Sequence, residues 1–155
     1  MILTELLSPT RVHVHARIDG PLDKSGAIET LSSLLSSERA SKEMVSRVLM
    51  ERESLQSTGI GEGVAIPHAA LSELETQSAA LLIVPAGVAF DAIDNQDVFL
   101  LFSVIGPKRA TGEHLKTLAR VSRLLRSKIF REQLIAAPDG AAAYELIATE
   151  ERGRT

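Results

Sequence analysis

Residues 79–105 read AALLIVPAGVAFDAIDNQDVFLLFSVI and contain two long apolar runs. These runs, Ala79 to Val84 and Val98 to Ile105, are continuous rather than alternating, which is typical of strands that helices cover on both faces. The residues from Phe90 to Asp94, which lie between the runs, are predicted to form a loop or a short edge segment. This stretch therefore predicts the buried centre of a sheet.

Periodic patterns predict one strand and two helices before this centre. Residues Arg11 to Ile18 alternate, with the even-numbered apolar residues on one side, which indicates a half-buried strand. Helical spacing predicts a helix over Lys24–Leu35 and another that begins after the N-cap Ser41 and ends near Glu53. A short extended segment, Val64 to Pro67, precedes the centre.

Three helices are predicted after the second apolar run. The first begins near Glu113, a short one covers Phe130 to Ala136, and the last is capped by Asp139. This order of elements does not alternate regularly, so the sequence predicts a three-layer α/β/α sandwich with a mixed sheet of about four to five strands. We interpret residues 1–155 as one domain. The buried stripe of the first helix is predicted to consist of Leu115, Leu118, Val121 and Leu125.

The composition excludes several classes of protein. The net charge is −3, which gives no electrostatic reason to expect binding to nucleic acid or to an anionic membrane. Cysteine is absent, which excludes disulfides, thiolate metal sites and cysteine nucleophiles. The longest apolar stretch, residues 79–90, is too short to span a bilayer, and the N-terminal MILTELLSP is a poor signal peptide. We therefore expect a cytoplasmic protein with no membrane insertion.

A candidate nucleophile follows a glycine-punctuated loop. Residues 57–69 read STGIGEGVAIPHA, which matches neither the dinucleotide fingerprint nor the P-loop. Pro67 restricts Ile66 to an extended conformation, so we expect His68 at a strand end, with its ring directed out of the sheet edge. A neutral imidazole there offers a free lone pair at pH 7. The alternative is a histidine of purely structural role.

Three further side chains complete a possible site. His114 lies in the first turn of a helix predicted to begin near Thr111 or Gly112, where the helix dipole disfavours imidazolium and favours an anion. Its neutral ring could donate to a phosphoryl oxygen. Arg52 could clamp a phosphoryl group or a carboxylate with two parallel hydrogen bonds, and Glu62 could orient Arg52 or a histidine. Solvated surface side chains are the alternative for all three.

Two other groups of side chains point to a ligand less strongly. His13 and His15 lie on one side of the first predicted strand, but no carboxylate or third histidine is near them in sequence, so we predict no metal. Five basic residues in and after the helix near Glu113 form either a solvated face or a contact for an anionic partner. These residues are Lys116, Arg120, Arg123, Arg126 and Lys128.

Three blocks of the sequence resemble one known family. They are GIGEGVAIPHA (59–69), FDAIDNQDVFLLFSVIGP (90–107) and EHLKTLARVSRLLR (113–126). They resemble the type-2 enzyme IIA domains of the bacterial phosphoenolpyruvate-dependent phosphotransferase system, which comprise fructose/mannitol-type domains and nitrogen-related regulatory relatives. The resemblance extends from LLSP at 6–9 to AYELI at 143–147. It implies a mixed sheet flanked by helices.

The resemblance also implies roles for individual residues. His68 matches the phosphorylated histidine of the family's Ile-Pro-His motif, and His114 matches the second histidine, which supports the phosphoryl group. Arg52 and Glu62 match the arginine of the site and the glutamate of the loop. No metal or organic cofactor is implied. This sequence departs from the family in one respect: the basic residue that commonly follows the histidine is missing, since residues 69–71 read AAL.

The function implied is that of a phosphoryl carrier, a phosphotransferase component rather than a free-standing turnover enzyme. The donor implied is the histidine phosphocarrier protein. The opening residues 6–35 resemble the nitrogen-related members more than the sugar-specific ones, which favours regulatory target proteins as partners. Two alternatives stay open: a fructose/mannitol-type transport component that serves a sugar permease, and a binding module that keeps the fold without the transfer. A metal-dependent hydrolase is disfavoured because no acidic ligand set accompanies the histidines.

Overall fold

The computed structural model describes residues 2–153, in which a six-stranded sheet is flanked by five α-helices. Met1, Arg154 and Thr155, which the predicted domain includes, lie outside the described residues. The strands are β1 (Val12–Val14), β2 (Gly59–Gly61), β3 (Val64–Ala65), β4 (His68–Ala70), β5 (Ser78–Val88) and β6 (Val98–Gly106). The helices are α1 (Lys24–Leu35), α2 (Lys42–Leu55), α3 (Thr111–Leu124), α4 (Lys128–Ile135) and α5 (Gly140–Gly153). Among residues 2–153, no helix has the length and apolar character needed to cross a bilayer.

The two apolar runs form the antiparallel pair β5 and β6 at the centre of the sheet. Strand β1 adds in parallel to the free edge of β5, whereas β3 adds in parallel to β6 and carries β2 antiparallel at the other edge. Strand β4 also pairs in parallel with β6 and keeps the register of β3, because Ala65 faces Leu101 and His68 faces Val104. Strands β3 and β4 therefore form a single line alongside β6 that is interrupted only at residues 66–67.

The predicted three layers are confirmed, because the two faces of the sheet bury different helices. Leu81 and Ile83 of β5 pack with apolar residues of α3, α4 and α5. Leu82 and Val84 point to the opposite face and pack with α1 and α2. The apolar runs of β5 and β6 are continuous because helices cover both faces of these central strands.

The sheet differs from the prediction in its outer strands. The predicted strand over residues 11–18 ends at Val14, and the chain turns through a 3-10 segment at Arg17–Asp19 that leaves Ile18 93% exposed. The ring of His15 contacts the carbonyl of Gly20 at 2.8 Å inside this turn. The sheet has six strands rather than four to five, because the glycine loop forms the short strand β2 and residues 66–67 divide the next line in two.

The predicted buried stripe of α3 is confirmed at Leu118, Val121 and Leu125, which pack in or against the core, but not at Leu115. Leu115 is 62% exposed, while the buried side chains of the helix include Thr117 and Val121. The face that packs on the sheet begins with the half-buried His114 and continues through Thr117, so its first two members are polar. Apolar spacing therefore points to Leu115, which lies next to His114 but outside the face of α3 that packs on the sheet.

Two local contacts close the C-terminal part of the fold. The carboxylate of Asp139 accepts a hydrogen bond from the Ala142 amide at 2.9 Å, which confirms the predicted cap of the last helix. The next residue, Gly140, lies against β1, since a Cβ built on Gly140 would overlap the carbonyl oxygen of Val12. Helix α5 can reach β1 only because this position has no side chain.

Replacing Gly140 should therefore destabilise the whole fold. We expect Gly140→Ala to lower the free energy of unfolding by about 3 kcal/mol, because backbone atoms must move to admit the methyl group. Chemical denaturation measures this change. Gly112→Ala is the matched control, since nothing beyond its chain neighbours and its own helix backbone lies within 4 Å of its Cβ position in α3. Equal stability of the two variants would contradict the close contact between α5 and β1.

Candidate functional site

The backbone at His68 is anchored to the centre of the sheet. The carbonyl of the preceding residue, Pro67, accepts a hydrogen bond from the Ser103 hydroxyl at 2.7 Å and another from the Val104 amide at 3.1 Å. His68 is the first residue of β4, and its ring is half-buried. His68 thus lies at a strand end, as expected, and its half-buried ring borders a cavity.

One hydrogen bond decides which nitrogen of His68 carries the proton. Nδ1 lies 2.7 Å from the carbonyl oxygen of Ile66. A carbonyl oxygen only accepts, so Nδ1 donates its proton and Nε2 of the neutral ring keeps the free lone pair. Burial lowers the pKa of His68 from its ordinary value, and the positive charge of Arg52 adds to this effect, against the bond to Ile66 and the charge of Glu53. The ring is therefore neutral at pH 7.

The carbonyl of Ile66 can accept a hydrogen bond from His68 because the amide that faces this carbonyl, that of Thr58, donates elsewhere, to a buried carboxylate. The Ile66 amide donates to the Thr58 carbonyl at 3.0 Å, which leaves the Thr58 amide as the expected return donor. Instead, that amide donates to Glu53 at 3.1 Å, and the Thr58 hydroxyl also donates to Glu53. The Glu53 carboxylate is buried and forms an ion pair with Lys24 at 2.8 Å.

Glu53 is the positioning residue that the sequence analysis missed. It follows Val45 and Leu49 at intervals of four residues, on the apolar face of α2, and all three side chains are buried. An acidic residue at a core position of an amphipathic helix is uncommon, because a buried charge needs a partner. The position of Glu53 in the four-residue apolar spacing of α2 was the signal in the sequence that could have identified this residue.

The second predicted histidine lies beside the first. His114 is in the first turns of α3, which begins at Thr111 as predicted, and its ring centroid is 5.5 Å from that of His68. Burial lowers the pKa of His114, and the neighbouring His68 adds to the effect. Two neutral imidazoles thus lie side by side, at an interplanar angle of 51°.

Arg52 borders the same site. It is in the last turn of α2, where its Nη1 donates to the Gln56 carbonyl at 2.9 Å. A cavity of about 320 Å³ lies between α2 and α3 and is lined by Arg52, His68 and Ser122, among others. The other guanidinium nitrogens of Arg52 have no partner within residues 2–153 and can bind an anion in this cavity.

Glu62 lies elsewhere, and its predicted partners are wrong. Its carboxylate forms an ion pair with Arg131 of α4 at 3.0 Å rather than with Arg52 or a histidine. Glu62 has a φ of +56° in the turn between β2 and β3, and its amide donates to the Asp94 carboxylate at 3.0 Å. This turn directs the side chain toward α4, a contact that no local pattern in the sequence indicates.

The remaining sequence candidates do not join the site. His13 is exposed on β1, and His15 contacts Gly20. Within the described part of the chain, no group of three or more histidine or acidic side chains could hold a metal ion. Of the basic residues, Lys116, Arg120 and Arg123 line a separate groove of about 890 Å³ together with Glu5, Glu75 and Glu113.

Comparison with known proteins identifies the family of the chain. A family model described as "Phosphoenolpyruvate-dependent sugar phosphotransferase system, EIIA 2" matches residues 7–150. The chain belongs to this family. The resemblance drawn from the sequence is therefore confirmed, and the described fold is that of an enzyme IIA type-2 domain.

Relatives of this enzyme IIA domain include nitrogen regulatory proteins and a sugar-specific component. The nitrogen regulatory protein of Pseudomonas aeruginosa is 34% identical over 154 residues, which are 98% of each chain. The nitrogen regulatory protein IIA-Ntr of Neisseria meningitidis has a crystal structure with TM-score 0.80 at 32% identity, over 92% of this chain and 97% of that chain. The fructose-specific EIIABC component of Bacillus subtilis is 31% identical over 150 residues, which are 95% of this chain and 23% of that protein.

The charges around His68 predict opposite effects of two neutral substitutions. Because Arg52 lowers the pKa of His68, Arg52→Gln should raise it; because Glu53 raises it, Glu53→Gln should lower it further. Glutamine keeps an acceptor oxygen for Thr58, so the second variant removes mainly the charge. NMR titration of the His68 ring measures both shifts. Arg47→Gln, on the exposed side of α2, is the control and should change neither; shifts of the same sign in the two variants would be inconsistent with this electrostatic arrangement.

Proposed function

We propose that this enzyme IIA domain carries a phosphoryl group on Nε2 of His68 and accepts it from the phosphohistidine of the histidine phosphocarrier protein. The observation that carries the proposal is the 2.7 Å bond from Nδ1 of His68 to the Ile66 carbonyl. This bond leaves the lone pair on Nε2 of a neutral ring, beside the Arg52 cavity. Membership of the family supplies the reaction to which such a nucleophile is suited.

The transfer requires little chemistry from the protein beyond positioning. The lone pair of Nε2 forms a bond to phosphorus while the bond between phosphorus and the donor's ring nitrogen breaks, and that electron pair returns to the donor ring. During the transfer, Nδ1 of His68 keeps its proton and continues to donate a hydrogen bond to the Ile66 carbonyl. The phosphoryl group is bonded to an imidazole nitrogen before and after, so orientation and charge compensation supply most of the catalysis.

Two side chains can compensate the charge of the transferred group. Arg52 presents its free guanidinium nitrogens to the cavity, where a planar fork can bind two phosphoryl oxygens. The ring centroid of His114 is 5.5 Å from that of His68, close enough for His114 to contact a group carried on His68. The Glu53 carboxylate does not oppose this, since Lys24 at 2.8 Å offsets its charge.

We further propose a regulatory rather than a transport role, in the cytoplasm. The relative from Pseudomonas aeruginosa, which matches this chain end to end, is named for nitrogen regulation. Phosphorylation adds roughly two negative charges. These charges enter a surface where Ile60, which lines the cavity, and Ile93, beside it, are 51% and 78% exposed. A partner that binds this apolar surface when His68 is free would be released when it is phosphorylated.

Transport is the second candidate function. It is favoured by the fructose-specific relative, which has 31% identity over 95% of this chain. In that role, His68 would pass its phosphoryl group to a component of a sugar permease. A third possibility, a binding module without transfer, is favoured by the missing basic residue after His68, where Ala69 and Ala70 stand.

Phosphorylation of the chain tests the nucleophile directly. Incubation with phosphoenolpyruvate, the general first enzyme of the system and the phosphocarrier should add one acid-labile phosphate, detected by mass analysis. We expect His68→Ala to lose the label because, among the described residues, His68 is the histidine that lines the cavity. His13→Ala, which alters an exposed histidine on β1, is the matched control and should keep it. Retention of the label in His68→Ala would exclude His68 as the acceptor, and an unlabelled wild-type chain would favour the binding module.

Deletion of the gene separates regulation from transport. We expect growth on fructose and mannitol to be unchanged and responses to the nitrogen source to be altered. The wild-type protein should restore the part of the nitrogen response that depends on phosphorylation, and His68→Ala should not. Selective loss of uptake of one sugar, restored by the wild type and not by His68→Ala, would show that transport is the function.

A further inference from the structure

Two buried polar atoms lack hydrogen-bond partners among residues 2–153, and they belong to neighbouring side chains. They are Oε1 of Gln77 and Nδ1 of His114. Buried side-chain polar atoms in folded proteins nearly always have a partner, so each such exception requires an explanation. One atom is an acceptor, and the other is a ring nitrogen that can carry a proton. Their chemistry is therefore complementary.

Both side chains lie against Gly106, at the end of β6. Ser78 faces Ile105 in the central antiparallel pair, so Gln77 comes beside Gly106. A Cβ built on Gly106 would be 2.9 Å from Cγ of Gln77 and 3.6 Å from Nδ1 of His114. The two side chains therefore meet in the space that the missing side chain of Gly106 leaves open, and the carboxamide begins one bond beyond that Cγ.

We propose that Gln77 is a positioning residue: a rotation of its carboxamide in the space beside Gly106 lets the carboxamide oxygen accept a hydrogen bond from Nδ1 of His114, a bond that the described conformation does not form. This inference deepens the proposed function and rests on it where phosphoryl transfer is concerned. The bond fixes the orientation of the His114 ring and places its proton on Nδ1. Nε2 of His114 is then the nitrogen available to a group carried by His68, whose ring centroid is 5.5 Å away.

The bond also sets how His114 responds to the phosphoryl group. An acceptor at Nδ1 is compatible with the neutral ring and also with imidazolium, in which both nitrogens carry protons. Before phosphorylation, burial and the neighbouring His68 lower the pKa of His114 and keep it neutral. The negative charge of a phosphoryl group on His68 acts in the opposite direction, so a proton can be bound at Nε2 and donated to a phosphoryl oxygen. Gln77 supports that state without touching the phosphoryl group.

NMR of the full-length, ¹⁵N-labelled chain tests the pairing before any phosphorylation. The chain has four histidines, and the signals of His114 are assigned by their loss in His114→Asn. In the wild type, Nδ1 of His114 should show the shift of a protonated ring nitrogen. Gln77→Met, which keeps the length of the side chain without an acceptor, should move the proton population toward Nε2. Gln77→Glu restores the acceptor, so it should restore the Nδ1 signature and raise the pKa of His114 by about one unit.

Two further variants separate this role from a general loss of structure. Thr76 is the exposed residue next to Gln77, and Thr76→Val should leave the His114 signals unchanged. Gly106→Ala keeps Gln77 but places a methyl group 2.9 Å from its Cγ, and it should change His114 as Gln77→Met does. In the phosphorylation assay, Gln77→Met should slow labelling of His68 by about fivefold, and Gln77→Glu should recover most of the rate.

The outcomes distinguish the pairing from the proposed function. Unchanged His114 nitrogen shifts and pKa in both Gln77→Met and Gly106→Ala would overturn the pairing, even if His68 is phosphorylated at the normal rate. A changed His114 signature in those variants, with no phosphorylation of the wild-type chain, would establish the pairing and overturn the proposed carrier function.

Discussion

The carbonyl of Ile66 is the group on which the chemistry of this site depends. It accepts the Nδ1 proton of His68 and so leaves the lone pair on Nε2. That carbonyl is free because the Thr58 amide, which faces it across the hairpin, donates to Glu53 instead. The next carbonyl, that of Pro67, is held by β6 through Ser103 and Val104. Helix α2, the glycine loop and the central strands therefore all act on one imidazole ring.

The distribution of charge around the two histidines suits a group that arrives with negative charge. Burial keeps both rings neutral, and Arg52 is the cation that borders the cavity. The buried Glu53 is needed for the geometry, and its ion pair with Lys24 limits its repulsion of an anion. A half-buried site strengthens such interactions because less water screens them.

Much of the fold could be predicted from local patterns. Helix α1 has the predicted bounds, and the two central strands lie where the continuous apolar runs are, because apolar burial and side-chain period act over short distances along the chain. The outer elements were predicted less well. The first strand is shorter than its alternating pattern, and the stripe of α3 contains His114 and Thr117 where apolar residues were expected. A local turn at Arg17–Asp19 ends the first strand, and packing against the distant sheet decides which face of α3 is buried.

The sequence by itself determined the family, the layered architecture and the motif that contains His68, because each of these is written in contiguous residues or in regular spacing. The sequence also pointed to His114 and Arg52 as members of the site. Only the tertiary structure decided how these and other residues act on that histidine. It brought His114 to within 5.5 Å of His68 across 46 residues of chain, paired Glu62 with Arg131, and showed Glu53 as the residue behind the Ile66 carbonyl. The physical reason is that hydrogen bonds and ion pairs depend on distances in space, and residues far apart in the chain acquire those distances only when the sheet and helices have packed.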